Sequence, residues 1–290
     1  MLTRIALAVM WSLHFLPRSV LARTGEITGM LIMLLAAERR NVVRVNLELC
    51  FPEFSRTERE KLARAHFRAF GRALAETSIA WWSGADRVRK LATIEGKEHF
   101  DLASRSGPVI VLAPHFVGVE ILAIRLSIEE DAQSMYSHQK NEVFDRFLIS
   151  RRTRFRPIRL ASRQDGIKRV IRGLKARLPL FFLPDMDFGP RDAVFVPFFG
   201  VPAATIDAVP RLAKLTRASV VPVLIEQKSA GESYVIRFLP AWENFPGEDF
   251  RADTARMNRF IEDSVRHVPE QYYWVHKRFK TRPAGEKRFY

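Results

Sequence analysis

Residues 108–114 read Pro-Val-Ile-Val-Leu-Ala-Pro. An apolar run of this length between two prolines predicts a strand buried inside a sheet. It is followed at once by His115-Phe-Val-Gly-Val-Glu120 and by the apolar stretch Val119-Glu-Ile-Leu-Ala-Ile-Arg-Leu, which reads as a helix. Three more runs read as strands: 178–183, 219–225 and 234–239. Pro222 lacks an N–H and so places the second of these near an edge or a bulge. Between the strands lie helical patterns. Ser55-Arg-Thr-Glu58 is a capping box that opens a helix running to about Trp82, with Leu62, His66, Phe67, Phe70, Leu74 and Ile79 as its buried stripe. A basic amphipathic helix is expected over 163–175, with Ile167, Val170, Ile171 and Leu174 on its apolar face, and a last helix over 254–266. Strands alternating with helices predict an α/β fold with a mixed central sheet flanked by helices.

The chain is 290 residues long and 47% hydrophobic, enough for one large core. The single boundary expected lies near residue 40. Before it, residues 5–17 are apolar apart from Ser12 and His14, and a second apolar run, 27–37, ends at Glu38-Arg39-Arg40. Neither run reaches the ~18 uncharged residues of a spanning helix. Residues 1–40 are therefore expected to form membrane-anchoring or interfacial helices, with the alternative of a buried helical hairpin, and residues 41–290 the main domain. The net charge of +15 draws the chain to polyanions. Nucleic acid is not expected as a partner, because stacking aromatics are not interleaved with the basic residues. One cysteine, Cys50, excludes an intrachain disulfide and a multi-cysteine metal site.

Histidine suits proton transfer near neutral pH, and a carboxylate on its second ring nitrogen fixes the tautomer. Residues five apart on one helix stand about 140° apart. His115 and Glu120 therefore meet only if His115 sits in the turn and Glu120 in the first helical turn. A second constellation, Pro184-Asp-Met-Asp-Phe-Gly-Pro-Arg191, follows the strand at 178–183. Ligands of open α/β sheets bind beyond the carboxyl ends of the strands, so His115 and the pair Asp185/Asp187 are expected to converge there. No third ligand supports a metal at the two aspartates.

Five ordered blocks resemble the late acyltransferases of lipid A biosynthesis, the lauroyl and myristoyl transferases of Gram-negative bacteria. They are Asn46-Leu-Glu-Leu-Cys-Phe-Pro-Glu53, His115 to Glu120, Asp185-Met-Asp-Phe-Gly-Pro190, Val194-Phe-Val-Pro-Phe-Phe199 with Ala203-Ala-Thr205, and residues 269–283 around Tyr272-Tyr-Trp-Val-His-Lys-Arg-Phe. The resemblance covers nearly the whole chain. It implies a glycerolipid-acyltransferase-like fold at the cytoplasmic face of the bacterial inner membrane. It also implies transfer of a fatty acyl chain from acyl carrier protein to a hydroxyacyl chain of a Kdo-bearing lipid A precursor. The family's H-x4-D/E motif falls on His115 and Glu120, as general base and its orienter. A thioester already carries a good leaving group, so no acyl-enzyme, metal or cofactor is expected. The oxyanion donor is expected to be a backbone N–H of the turn after His115, or an arginine.

Asp185, Asp187 and Gly189 are expected to shape the acceptor site. Arg163, which matches a family position, and Arg191 are candidates for a phosphate or a sugar carboxylate. Tyr136 and Asn141 match a substrate-binding loop, from which this chain departs. Ser137 and His138 stand where the family commonly has Arg-Pro. The implied partners are acidic acyl carrier protein, the phosphorylated precursor and the anionic membrane, with the aromatic and basic residues 272–282 at the interface. Two alternatives stay open: a related acyltransferase with another lipid acceptor, and a non-catalytic basic membrane-binding module.

Overall fold

A computed structural model of the chain describes residues 1–162, 167–191 and 193–290. Five helices come first: α1 (Leu2–Leu13), α2 (Arg18–Leu35), α3 (Ala37–Cys50), α4 (Arg56–Trp82) and α5 (Ala85–Leu91). Alternation follows through β1 (Ala92–Glu95), α6 (Lys97–Ser106), β2 (Val109–Leu112), α7 (Val119–Leu126), β3 (Gln133–Tyr136), α8 (Glu142–Arg152), β4 (Arg159–Ser162), α9 (Ile167–Lys175) and β5 (Leu180–Phe182). A hairpin of β6 (Ala193–Phe198) and β7 (Val201–Ile206) leads to α10 (Ala208–Thr216), β8 (Ser219–Gln227), β9 (Tyr234–Phe238) and α11 (Phe250–His267).

Seven strands form one sheet in the order β1-β9-β8-β2-β5-β3-β4. All neighbours are parallel except β8 and β9, which makes the sheet mixed, as expected. The short strands β1, β3 and β4 carry too little apolar pattern to be read from sequence, and in the β6–β7 hairpin Pro197 and Pro202, which face each other, interrupt runs that are otherwise apolar. Pro222 is not at an edge, contrary to expectation, because β8 lies inside the sheet. It is where β8 changes partner: Ser219 to Pro222 pair with β2, and Val223 to Gln227 pair with β9. The missing N–H falls at this exchange, and the Pro222 carbonyl still accepts from Leu239 N (2.9 Å).

Crossover handedness sorts the helices. β2 connects to β3, two places away, through α7, whereas β4 returns to β5 through α9 and the hairpin returns to β8 through α10. Right-handed connections running in opposite directions put their helices on opposite faces. Side chains of β3 agree. Tyr136 donates to Asp145 of α8, while Gln133 donates to the Val170 carbonyl of α9 (3.2 Å). Thus α7 and α8 cover one face, with α4 and α2 outside them, and α9 and α10 cover the other.

Helix α4 opens on the expected capping box, in which Glu58 N donates to Ser55 Oγ (3.2 Å) and Ser55 N to Glu58 Oε2 (2.7 Å). Its last carbonyls are met by cations, a favourable arrangement at a helix C-terminus. Arg154 donates to Ala80 O (2.7 Å) and Ser83 O (2.6 Å). Helix α2 lies along α4 at glycine contact. A Cβ on Gly71 would stand 2.3 Å from Gly25 O and 2.5 Å from Gly29 Cα. Leu21, Ala22 and Met33 of α2 are buried.

The boundary expected near residue 40 falls within α3, and α2 packs along α4 in the helical layer. Among the described residues no single helix is long and apolar enough to cross a membrane, although α2 and α3 pass that test together across a 94° bend. The outer side of the layer is nonetheless strongly apolar. Ile5, Val9, Trp11 and Phe15 of the α1 region are exposed, as are Ile27, Leu31, Leu34 and Leu35 of α2, with Leu34 at 69% and Leu35 at 78%.

Gly71→Val forces α2 off α4 and is expected to destabilise the protein by roughly 2–3 kcal/mol, as overpacked cores do. Chemical denaturation in mild detergent measures this. An unshifted midpoint would mean that the two helices are not held at glycine contact.

Candidate active site

Strands β2 and β5 are parallel neighbours, with Leu112 opposite Phe182. Their carboxyl ends therefore deliver His115 and Asp185 side by side, as the strand-end argument expects. Asp185 Oδ1 accepts from His115 Nδ1 at 2.6 Å, and Oδ2 accepts from the His115 backbone N–H at 2.9 Å. The Asp185 side chain is fully buried and that of His115 is 17% exposed. Burial opposes ionisation of Asp185, but the charge and hydrogen bonds of His115, with the more distant charge of Arg278, win and hold its carboxyl below the ordinary value. The Tyr272 hydroxyl is a further partner of Asp185.

Glu120 does sit in the first turn of α7, yet its carboxylate turns elsewhere. It accepts from Arg152 Nη2 (2.6 Å) and Nε (3.1 Å), and from Trp81 Nε1 (3.1 Å). The expected His115–Glu120 contact is replaced by His115–Asp185, because the parallel neighbour strand reaches the imidazole directly. Gly118, between the two motif residues, is needed for space. A Cβ there would meet the Tyr234 ring and Ile225 at 3.0 Å.

Both His115 and Glu120 line a cavity of about 570 Å³ that runs between α7, α8 and the sheet. Its walls are mainly apolar, including Leu122, Leu126, Leu148, Leu160 and Phe181. On α4, Phe70, Leu74, Thr77 and Trp81 face the cavity at helical spacing, beside the stripe that packs on α2. Arg152 is the one lysine or arginine among the described lining residues. Of the turn amides expected to bind an oxyanion, Phe116 N donates to Pro114 O, Val117 N to Gln271 O and Val119 N to Phe116 O, whereas Gly118 N–H has no hydrogen-bond acceptor among the described residues.

The other expected site residues separate into different roles. Asp187 clasps the C-terminal segment and does not line the cavity. Its carboxylate takes Thr281 N (2.6 Å), Thr281 Oγ1 (2.8 Å) and Gly189 N (2.9 Å). Gly189 has φ +97°, the left-handed turn that glycine permits. Arg191 is exposed in the turn before β6. Arg163 lies outside the described residues. Tyr136 lines the cavity, and its hydroxyl, pushed up to about 12 by burial and by Asp145, donates to Asp145. Asn141 does not line the cavity. It caps α8 by accepting from Phe144 N (3.0 Å) and ties α1 down by donating to Thr3 Oγ1 (2.8 Å). His138 bonds to Asp145 through Nδ1 (2.9 Å) with its side chain 56% exposed. Gln139 N–H, Tyr136 and His138 together hold Asp145 at about 2.

The C-terminal block is a brace, not the surface interface expected. Tyr272, Trp274 and Arg278 are buried. Tyr273 N donates to His115 O (2.9 Å), Asn46 Nδ2 to Trp274 O (2.7 Å) and His276 O (2.8 Å), and Arg278 to Ala204 O (2.9 Å) and Thr205 Oγ1 (2.7 Å). Four of the five distant sequence blocks thus meet behind His115.

The sequence matches the bacterial lipid A biosynthesis acyltransferase family over residues 1–281. The chain belongs to that family. This acyltransferase is 33% identical over 291 residues to the lipid A biosynthesis palmitoleoyltransferase of Escherichia coli strain K12, covering 100% of this chain and 94% of that one. It is 34% identical over 286 residues to the lauroyltransferase of the same organism, covering 98% and 93%. The 1-acyl-sn-glycerophosphate acyltransferase of Thermotoga maritima aligns with TM-score 0.39 and 14% identity over 84% of this chain and 97% of that one.

Within the acyltransferase, two neutral histidines hold the brace. His66 bonds to Glu270 O (3.0 Å), and His276 Nε2 accepts from Asp187 N (2.9 Å). Burial lowers both to about 4, and for His276 the charges of His115 and Arg278 add to it. Unfolded, each titrates near 6.5. Unfolding therefore takes up protons between those values, so stability is full above about pH 6.5 and falls as pH drops toward 4, by roughly 3 kcal/mol per histidine. Denaturant midpoints measured against pH should show this slope, with about half of it gone in His276→Gln. A variant as steep as the wild type would remove His276 from the account.

Proposed function

We propose that this acyltransferase moves a fatty acyl chain from acyl carrier protein to a hydroxyacyl chain of a Kdo-bearing lipid A precursor, with His115 as general base. The observation that carries the reading is the His115–Asp185 pair, with His115 lining a mainly apolar cavity. With Nδ1–H donated to Asp185, the Nε2 lone pair is left to accept a proton, and it has no protein partner among the described residues. Nε2 takes the proton of the acceptor hydroxyl as that oxygen attacks the thioester carbonyl. Asp185 stabilises the imidazolium that forms. The tetrahedral intermediate collapses with cleavage of the C–S bond, and the departing thiolate takes the proton back from Nε2.

The groups available to offset the oxyanion are the free Gly118 N–H of the turn and Arg152, whose guanidinium Glu120 holds at the cavity wall. The acyl chain occupies the apolar cavity, where each buried methylene stabilises by ~0.8 kcal/mol. Cys50 is buried, its thiol raised by that burial, and no step uses it.

Transfer from a panel of acyl-ACPs to a Kdo₂-tetraacyl precursor tests the reading. His115→Ala should abolish it. Asp185→Asn should lower kcat by about 10²–10⁴ with little change in KM, as loss of an orienting carboxylate does. Near wild-type turnover by either variant would sink the assignment. Unchanged lipid A in a deletion strain, with other lipids altered, would move the acceptor elsewhere.

The exposed apolar side of α1 and α2 is read as seated in the inner membrane at its cytoplasmic face, with the +15 charge favouring anionic head groups. The cavity stripe of α4 lies beside α2, so the acceptor enters from the bilayer at that edge. Ile27→Glu with Leu31→Glu should release the protein from anionic vesicles without unfolding it, as read by flotation. Undiminished flotation would place the anchor elsewhere.

A further inference from the structure

Helices α9 and α10 pack side by side on the face of the sheet opposite α7 and α8. Neither contains an acidic residue. On α9, Lys168, Arg172 and Lys175 recur at i, i+4 and i+7, and all three are exposed. They form no ion pair among the described residues. Arg211 and Lys214 of α10 and the adjoining Arg217 extend the basic surface, Arg211 pairing with Asp207 (2.8 Å) and Lys214 with the exposed Glu248 (3.4 Å). Two apolar side chains stand within it, Ile167 at 41% and Leu215 at 57% exposed. A cationic stripe with a few apolar points is complementary to an amphipathic acidic helix.

The position of the surface selects the kind of partner. The apolar side of α1 and α2 lies beyond α4, on the α7/α8 face. A bilayer engaged there leaves α9 and α10 turned to the aqueous side. Both helices also begin at the carboxyl edge of the sheet: α9 follows β4, which is parallel to β3, and α10 precedes β8, which is parallel to β2. His115 sits at that edge. Ile206, the residue two before α10, lines the cavity. A partner docked on α9/α10 can therefore pass a thioester on a long flexible arm over the sheet edge to His115, while the acceptor comes from the membrane side.

We propose that the α9/α10 face docks the acidic, helical carrier protein that bears the acyl thioester. This rests on the reading that an acyl-carrier-protein thioester is the donor. The test is steady-state transfer by the full-length protein, in detergent or vesicles, from acyl-ACP and from the matching acyl-pantetheine. Wild type is compared with Lys168→Glu/Arg172→Glu/Lys175→Glu and with a control reversal of the exposed Arg64 and Arg68 on α4.

The expected result is a rise in KM for acyl-ACP of at least about tenfold in the triple variant, with kcat and acyl-pantetheine transfer unchanged and the control near wild type. The wild-type KM for acyl-ACP should also climb steeply with salt. Wild type that uses acyl-ACP, with a triple variant of unchanged KM or a control that loses as much, overturns the docking face and leaves the donor reading standing. Wild type that uses acyl-pantetheine but not acyl-ACP overturns the donor reading and the face with it. A triple variant that keeps its KM for acyl-ACP but floats poorly with anionic vesicles reassigns the face to lipid.

Discussion

Asp185 reaches His115 twice, once at the ring and once at the backbone N–H. The first bond sets the tautomer, and the second fixes where the imidazole leaves the strand. A buried carboxylate of this kind is tolerated only when its oxygens are satisfied and a positive partner offsets its desolvation. His115, Tyr272 and the charge of Arg278 meet that requirement. Much of the remaining architecture keeps those groups in place.

The C-terminal segment is the clearest instance. It bonds to the His115 turn through Tyr273 N and through the Gln271 carbonyl, and it is held in turn by Asn46, Asp187, His66 and Thr205. Residues from α3, from the loop after β5 and from the β6–β7 hairpin thus serve one purpose, to back the His115 turn. This gives a physical reason for four of the distant blocks on which the family resemblance rests. The fifth, the His115 turn itself, is what they support.

The molecule also separates its surfaces by chemistry. Apolar residues line the outside of α1 and α2, an apolar cavity runs beneath α7, and exposed cations cover α9 and α10. The crossover rule that puts α7 and α9 on opposite faces is therefore also what separates the apolar side from the cationic side. Both sides meet at the carboxyl edge of the sheet, where His115 and Asp185 lie.

The sequence by itself determined the periodic and the local. Buried strands β2, β5, β8 and β9, the long α4 with its capping box and the mixed α/β class all follow from short-range pattern, because burial and capping depend on neighbours in the chain. That His115 and Asp185 each follow a buried strand was legible for the same reason, whereas the pairing of those two strands was not. What only the tertiary structure decided is which carboxylate faces the imidazole. Glu120 is five residues from His115 and Asp185 is seventy, yet strand pairing brings the distant one to 2.6 Å, while Arg152 and Trp81 claim the near one. The burial of α2, the clasp made by Asp187 and the cap made by Asn141 were equally illegible. Each depends on a contact between elements remote in sequence, and a polar side chain carries no mark in the sequence of the partner it will find.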